Sequence, residues 1–215
     1  MKIAFVYPNT QKKESQGAGL IASAVLDAGY TLDFYDEAYT PLTDELARQV
    51  GKTYDVILLS ALTLNFRAAI KFARRAKEAN PNVVTLLGGI HATVESRDVL
   101  EHILCFDYIC VGEGEEFVVE FLIALEGGDV RDVPGLGYCN DDGEVVINPG
   151  LACQELDDLP RYRRELFRDE SVVHNYPFPG FVYVHASRGC PYRCSYCANQ
   201  NYLDLYGKAY LRTRS

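Results

Sequence analysis

The chain has 215 residues, of which 48% are hydrophobic, and carries a formal net charge of −9. This length and apolar content allow a buried core with room for one domain and part of a second, and they exclude a disordered chain. The negative charge disfavours general nucleic-acid binding, which needs clustered lysine and arginine. The first residues reach Pro8 too soon for a signal sequence or a membrane span, so we expect a cytoplasmic protein.

Residues 2 to 126 alternate short β-branched or aromatic runs with longer amphipathic segments, which is the pattern of a parallel sheet with crossover helices. The predicted strands are residues 2–7, 31–35, 56–60, 83–87 and 108–111. The predicted helices are residues 18–28, 44–50, 66–80, 96–104 and 115–125. The third and fourth strands are apolar enough to be buried on both faces. The sequence therefore predicts an α/β fold with a doubly wound parallel sheet of flavodoxin-like strand order, whose ligand crevice lies outside the carboxyl ends of the strands.

A boundary in composition follows this unit. A hairpin is predicted from two strands, residues 136–140 and 145–148, around the turn Asp141-Asp142-Gly143. A proline-rich connector comes next, and a new strand at residues 181–185 leads into the last segment. We therefore divide the chain into a sheet domain at residues 1–130, a hairpin and linker at 131–180, and the beginning of a second domain at 181–215.

A cysteine triplet, Cys190, Cys194 and Cys197, lies near the end of the chain with spacings of four and three residues. Three thiolates on one short loop can bind three irons of a four-iron cluster and leave the fourth iron open to a substrate or cofactor. The alternative is a structural zinc site, which needs a fourth ligand such as His185 or Cys153. The spacing favours the cluster, because zinc motifs usually pair two cysteines with two more ligands at a distance. The other cysteines show no ligand spacing with one another and are interpreted as structural: Cys105, Cys110, Cys139 and Cys153.

The segment Arg188-Gly189-Cys190-Pro191-Tyr192-Arg193-Cys194-Ser195-Tyr196-Cys197 resembles the cluster loop of radical S-adenosylmethionine enzymes, and Arg212-Thr213-Arg214-Ser215 resembles a segment that follows this loop. The resemblance implies that the three cysteines bind a 4Fe-4S cluster whose fourth iron is chelated by S-adenosylmethionine. It implies that Tyr196 stacks near the adenine, and that residue 181 begins a partial TIM-like barrel. One electron, from a donor such as flavodoxin or ferredoxin, would then cleave S-adenosylmethionine to a 5'-deoxyadenosyl radical.

The loops at the carboxyl ends of the predicted strands indicate which ligand the sheet domain binds. The first, Tyr7-Pro8-Asn9-Thr10, has neither the acidic cluster of a phosphoacceptor receiver nor the Gly-x-Gly-x-x-Gly turn of a dinucleotide site. The later loops are Ser60-Ala61-Leu62-Thr63, Gly88-Gly89-Ile90-His91-Ala92-Thr93 and Val111-Gly112-Glu113-Gly114-Glu115. These loops resemble those of cobalamin-binding domains joined to radical enzymes.

This resemblance implies a cobalamin site formed by Ser60, Leu62, Thr63, Gly88, Gly89, Gly112 and Gly114. The glycines would let the backbone approach a bulky ring or its nucleotide tail, and the hydroxyls of Ser60 and Thr63 would hydrogen-bond that tail. Glu113 or Glu115 is expected to cap the helix that follows. Residues 8–17 contain no histidine, so the first loop supplies no lower axial ligand to cobalt. His91 is interpreted as a packing or hydrogen-bonding residue rather than a cobalt ligand.

Together the two resemblances imply the N-terminal part of a cobalamin-dependent radical S-adenosylmethionine enzyme, similar to anaerobic magnesium-protoporphyrin monomethyl ester cyclases. They imply methyl transfer to an unreactive carbon, or oxidative ring closure, on a small-molecule substrate that the sequence does not identify. Because a radical-enzyme barrel needs several more βα units, we expect a fragment that is inactive alone. Other hypotheses stay open: a corrinoid-binding carrier module without radical chemistry, an interaction domain whose cysteines bind zinc, and a sheet that binds no cofactor.

Overall fold

The computed structural model describes residues 1–11, 14–153, 155–167 and 184–215. Its main sheet has seven strands: β1 (Ile3–Tyr7), β2 (Leu32–Asp36), β3 (Val56–Ser60), β4 (Val84–Gly88), β5 (Tyr108–Cys110), β6 (Leu136–Cys139) and β7 (Val145–Ile147). Their order is β2-β1-β3-β4-β5-β6-β7, and the first five are parallel to one another. The doubly wound sheet with flavodoxin-like strand order is therefore confirmed.

Helices cover both faces of this sheet. They are α1 (Gln16–Asp27), α2 (Asp44–Thr53), α3 (Phe66–Ala79), α4 (Ile90–Val94), α5 (Ser96–His102) and α6 (Glu115–Gly127). Residues of α1 and α6 form one core with one face of the sheet, and residues of α2, α3, α4 and α5 form a second core with the other face. Strand β3 contributes alternate residues to the two cores, so its burial on both faces follows from its position.

The structure differs from the sequence prediction after β4 and after β5. The crossover after β4 holds two short helices, α4 and α5, where one helix at residues 96–104 was predicted. Gly89, with φ of +92°, turns the chain from β4 directly into α4. The predicted hairpin is present as β6 and β7, and it extends the main sheet because β6 pairs antiparallel with β5.

The connecting segment at residues 155–167 lies across α1. Tyr162 packs so closely on Gly19 that a side chain at that position would overlap its ring. The Arg163 amide donates a hydrogen bond to Ser23 Oγ at 3.1 Å. Residues 168–180, the rest of the predicted linker, lie outside the described part of the chain.

The end of the chain forms a small second unit. A two-stranded antiparallel sheet is made of β8 (Ser187–Arg188) and β9 (Arg212–Thr213), and α7 (Asn199–Tyr206) lies between them in sequence. The cysteine triplet lies between β8 and α7. Of the strand predicted at 181–185, residues 181–183 are outside the described part and residues 184–185 are not in a strand. In the described ranges, no helix combines the length and apolar character needed to cross a membrane.

Candidate functional site

A cleft of about 540 Å³ opens at the carboxyl ends of β1, β3, β4 and β5. Its floor is apolar and lies between the sheet and helices α1 and α6, where it is lined by Phe5, Ile21, Leu58, Leu86, Phe117 and Val118. The second unit covers the opposite side with Arg188, Gly189, Tyr202 and Tyr210. A cleft of this size, with an apolar floor and a few polar groups at its rim, is typical of a cofactor site.

Six of the seven residues predicted to contact cobalamin line this cleft, namely Ser60, Leu62, Gly88, Gly89, Gly112 and Gly114. Thr63 does not line it. Its hydroxyl lies 3.1 Å from Nδ1 of His91 instead. Tyr196, predicted to contact S-adenosylmethionine, is outside the cleft lining and is 90% exposed.

Two rim glycines are required by the packing of the chain itself. Gly89 has φ of +92°, and a Cβ there would lie 2.7 Å from the carbonyl oxygen of Ala61. Gly112 has φ of +105°, and a Cβ there would overlap the hydroxyl of Tyr206. Gly89 therefore lets the turn after β4 pack against the loop after β3, and Gly112 lets the rim of the cleft approach Tyr206 of α7.

His91 lies beside the cleft and is held by its neighbours. Its ring centroid is 3.9 Å from that of Phe66, and its Nδ1 is within hydrogen-bonding distance of Thr63. Burial lowers the pKa of His91 from its ordinary value. These contacts agree with the interpretation of His91 as a packing and hydrogen-bonding residue.

The two glutamates of the β5–α6 loop do not cap α6, so the expected capping role is wrong. The N-cap residue is Gly114, and no side chain makes a capping hydrogen bond. Glu113 instead accepts from Arg212 Nη1 at 3.0 Å, and Glu115 accepts from Arg188 Nη1 at 3.1 Å. We call these four residues, Glu113, Glu115, Arg188 and Arg212, the acid–arginine clasp. None has a side chain more than 20% exposed.

Electrostatics in the clasp are dominated by these pairs. Burial acts to lower the pKa of Arg188, but its hydrogen bond to Glu115 and the nearby carboxylate charges outweigh burial and raise it. The hydrogen bond to Glu113 raises the pKa of Arg212. Both guanidinium groups are therefore permanently charged, and the carboxylates that neutralise them come from the rim of the cleft.

Three tyrosines that sequence reasoning did not single out lie at the cleft on the side of the second unit: Tyr202 and Tyr210 line it, and Tyr206 contacts its rim. The rings of Tyr202 and Tyr210 are stacked, with centroids 5.4 Å apart. The Tyr206 hydroxyl accepts a hydrogen bond from the Glu113 amide at 2.7 Å. Burial raises the pKa of Tyr210 to about 12, and it raises the pKa of Tyr206 as well. The tyrosines are therefore neutral at physiological pH.

The predicted cluster ligands are free thiols on one loop. Cys190 and Cys197 are partly buried and Cys194 is exposed. The Cys197 amide donates to the Cys194 carbonyl at 3.0 Å, which makes a turn between them. In the described ranges, no group of three His, Cys, Asp or Glu side chains is arranged to hold a metal ion. The donor set suits an iron–sulfur cluster chemically, and its role as a ligand set stays a prediction.

Neither candidate fourth ligand of the zinc alternative, His185 or Cys153, belongs to such a group in the described part of the chain. His185 lines the cleft. Cys153 is buried and its Sγ lies 3.2 Å from the Glu155 carbonyl. Burial raises the pKa of Cys153 to about 11. Cys105 and Cys110 are buried and Cys139 is exposed, and none of these three thiols is in a disulfide bond.

Comparison with known proteins places this site in a family. Residues 12–122 match the B12 binding domain. Anaerobic magnesium-protoporphyrin IX monomethyl ester cyclase of Rubrivivax gelatinosus is 29% identical over 96% of this chain and 40% of its own length. The cyclase of the same name from Cereibacter sphaeroides is 30% identical over 96% of this chain and 36% of its own length. The chain therefore spans about 40% of the length of these curated relatives.

The fold has solved counterparts as well. A structure of the radical S-adenosylmethionine methyltransferase TsrM from Kitasatospora setae, with cobalamin and a [4Fe-4S] cluster bound, superposes with a TM-score of 0.70. The superposition covers 100% of this chain and 43% of TsrM, at 16% sequence identity. At this identity the likeness establishes the shared fold, and it extends over both the sheet and the second unit.

Proposed function

Because the chain belongs to the B12-binding domain family, we propose that it binds cobalamin in the cleft and forms the N-terminal part of a cobalamin-dependent radical S-adenosylmethionine enzyme. One observation carries the proposal. The carboxyl ends of the parallel strands face Ser187, Arg188 and Gly189 across the cleft. These three residues directly precede Cys190. A cofactor in the cleft and a cluster on the cysteine triplet would therefore be neighbours.

The cleft fits cobalamin by its chemistry. Its apolar floor, which includes Phe5, Leu58 and Phe117, suits the benzimidazole base of the nucleotide tail. Ser60 supplies a neutral hydroxyl to that tail. Residues 8–17 contain no histidine, so in this proposal cobalamin binds with its own base displaced and no histidine on cobalt.

The cysteine triplet would hold a 4Fe-4S cluster whose open iron chelates S-adenosylmethionine, and the cluster would supply the electron that generates a 5'-deoxyadenosyl radical. The part of this chain is to provide the three thiolates and to hold their loop beside the cleft. The electron would come from a donor protein such as flavodoxin or ferredoxin. The exposed ring of Tyr196 would be free to stack on the adenine.

We propose methyl transfer to an unreactive carbon of a small molecule as the reaction of the complete enzyme. Oxidative ring closure is a second candidate, which the names of the two cyclase relatives favour. Isotope-labelled S-adenosylmethionine separates them, because only methyl transfer carries the labelled methyl group into the product.

The experiment that tests the proposal is anaerobic reconstitution of the chain with iron, sulfide and hydroxocobalamin, followed by metal analysis and visible spectra. Wild type should hold corrinoid and about four irons. Cys194→Ala should lose the iron and keep the corrinoid. Cys139→Ala is the matched control, because Cys139 is exposed and outside the triplet.

Other outcomes of this experiment point to other functions. Zinc in place of iron would overturn the radical assignment in favour of an interaction domain. Corrinoid without iron in the wild type would indicate a carrier module. Iron without corrinoid would keep the cluster and reduce the sheet to a scaffold.

A further inference from the structure

The two strands that frame the second unit place like charges opposite each other. In the antiparallel pair of β8 and β9, Arg188 is the direct partner of Arg212. Like charges directly opposite in a sheet destabilise the pairing. The pair is only two residues long on each strand, so little else in the small sheet offsets this repulsion.

The carboxylates that offset the repulsion come from the rim of the cleft. Glu113 contacts Arg212 with both carboxylate oxygens and lies 3.6 Å from Nη1 of Arg188. Glu115 contacts Arg188 with both of its oxygens. Paired forks of this kind are the strongest and most directional ion pairs, and burial reduces their screening by solvent.

Glu113 also organises backbone around the clasp. One of its oxygens accepts from the Cys153 amide at 3.1 Å, while Arg212 donates to the Cys153 carbonyl. Its own amide donates to the Tyr206 hydroxyl at 2.7 Å. Glu113 therefore contacts the strand that follows the cysteine loop, the helix within the second unit, and the segment after β7.

The clasp is joined directly to the cysteine loop. Arg188 is separated from Cys190 by Gly189, whose φ is +91°. A Cβ at Gly189 would overlap the carbonyl of Tyr210, so the start of the loop passes tightly against the chain just before β9. Glu113 itself lines the cleft between Gly112 and Gly114. A shift of Glu113 would therefore be transmitted to the first cysteine.

We propose that Glu113 is a positioning residue: it pairs with Arg212 and, together with Glu115, neutralises Arg188, and it thereby holds β8 and β9 together and fixes the cysteine loop against the rim of the cofactor cleft. This inference rests on the proposed function, because it assigns Glu113 to the placement of the cluster. Glu113 touches neither cluster nor substrate in this role. It acts through the two arginines.

The test compares four forms of the 215-residue chain. They are wild type, Glu113→Gln, Arg212→Lys, and the control Glu120→Gln. The control makes the same change of charge at an exposed position of α6. Arg212→Lys keeps the positive charge but loses the planar fork that reaches Glu113 and Cys153, so it tests the same contact if Glu113→Gln folds poorly.

Two quantities are measured after circular dichroism has confirmed folding. The first is hydrogen exchange of the Arg214 amide, which donates to the Ala186 carbonyl at 2.8 Å across the small sheet. The second is the electron paramagnetic resonance spectrum of the reduced cluster after iron and sulfide reconstitution. We expect both clasp variants to exchange at least tenfold faster at Arg214 and to show an altered or heterogeneous cluster spectrum, while Glu120→Gln matches wild type.

The outcomes separate this inference from the proposed function. If wild type takes up iron and both clasp variants match the control, the positioning role is overturned and the proposed function stands. Faster exchange with an unchanged cluster spectrum also overturns it, since Glu113 would then stabilise the small sheet without placing the cluster. A wild-type chain that takes up no iron–sulfur cluster would contradict both the positioning role of Glu113 and the proposed radical-enzyme function.

Discussion

Ser60 and Thr63 carry the same functional group in one loop, yet only Ser60 lines the cleft. We therefore expect Ser60→Ala to weaken hydroxocobalamin binding, because a hydrogen bond to the tail is lost. Thr63→Val, which removes a hydroxyl outside the cleft, should leave the affinity unchanged. A single neutral hydrogen bond corresponds to about a two- to tenfold change in Kd. Equilibrium titration followed by the corrinoid absorbance measures both, and equal losses in the two variants would contradict the geometry of the cleft.

The lowered pKa of His91 predicts that the free energy of unfolding depends on pH. Burial lowers its pKa in the folded chain below the ordinary value of 6.5, so between these two pKa values the unfolded state binds more protons. The free energy of unfolding should therefore fall as pH drops below about 6.5, the ordinary pKa of histidine. Urea titrations of wild type and His91→Gln between pH 5.5 and 7.5 check this. The variant should show the weaker dependence, and parallel curves would show that His91 does not contribute.

At the scale of elements, Phe167 is the residue of the connecting segment at 155–167 that packs on an aromatic ring of the sheet. Phe167 is 5% exposed and packs edge-on against Phe34, with centroids 5.2 Å apart. Phe167→Ala should lower the free energy of unfolding by about 3 kcal/mol, through lost burial and the cavity left behind. Leu151→Ala is the control, because Leu151 is 69% exposed and its loss should cost less than about 0.5 kcal/mol. Equal costs in denaturant unfolding would mean that the segment is not docked.

Elements with local signals were predictable from the sequence. Strand β3 was predicted with its observed bounds, because its apolar run begins after Asp55 and ends at Ser60. The pairing of β6 with β5 was not predicted, since hairpin periodicity does not say which edge the hairpin joins. The clasp was missed for a similar reason: Glu113 and Glu115 meet arginines 99 and 73 residues further along the chain. From the sequence alone, a glutamate near the start of a helix is interpreted as a cap of that helix. Its ion-pair partner, far along the chain, is visible only in the folded structure.

At the scale of the whole molecule, the cleft has walls from both parts of the chain. Its floor belongs to the sheet and its cover, with Tyr202 and Tyr210, belongs to the second unit. The clasp and the Tyr206 hydrogen bond to Glu113 join the two parts at the same rim. A ligand in the cleft would therefore contact elements distant in sequence, and its binding energy would stabilise both.

This arrangement predicts that hydroxocobalamin protects the two parts together. At about 100 times Kd, a ligand that binds only the folded state adds about 2.7 kcal/mol of stability. For a chain of this size that raises Tm by roughly 5 to 11 °C. Far-UV circular dichroism should show one transition that moves upward, and hydrogen exchange should slow in peptides from both β3 and α7. Protection confined to β3 would contradict the prediction, because the second unit would then open independently of the occupied cleft.

A cyanide-free aquo-corrinoid that lacks the nucleotide tail is the matched ligand control. If the tail of cobalamin fills the apolar floor, this ligand should protect β3 far less.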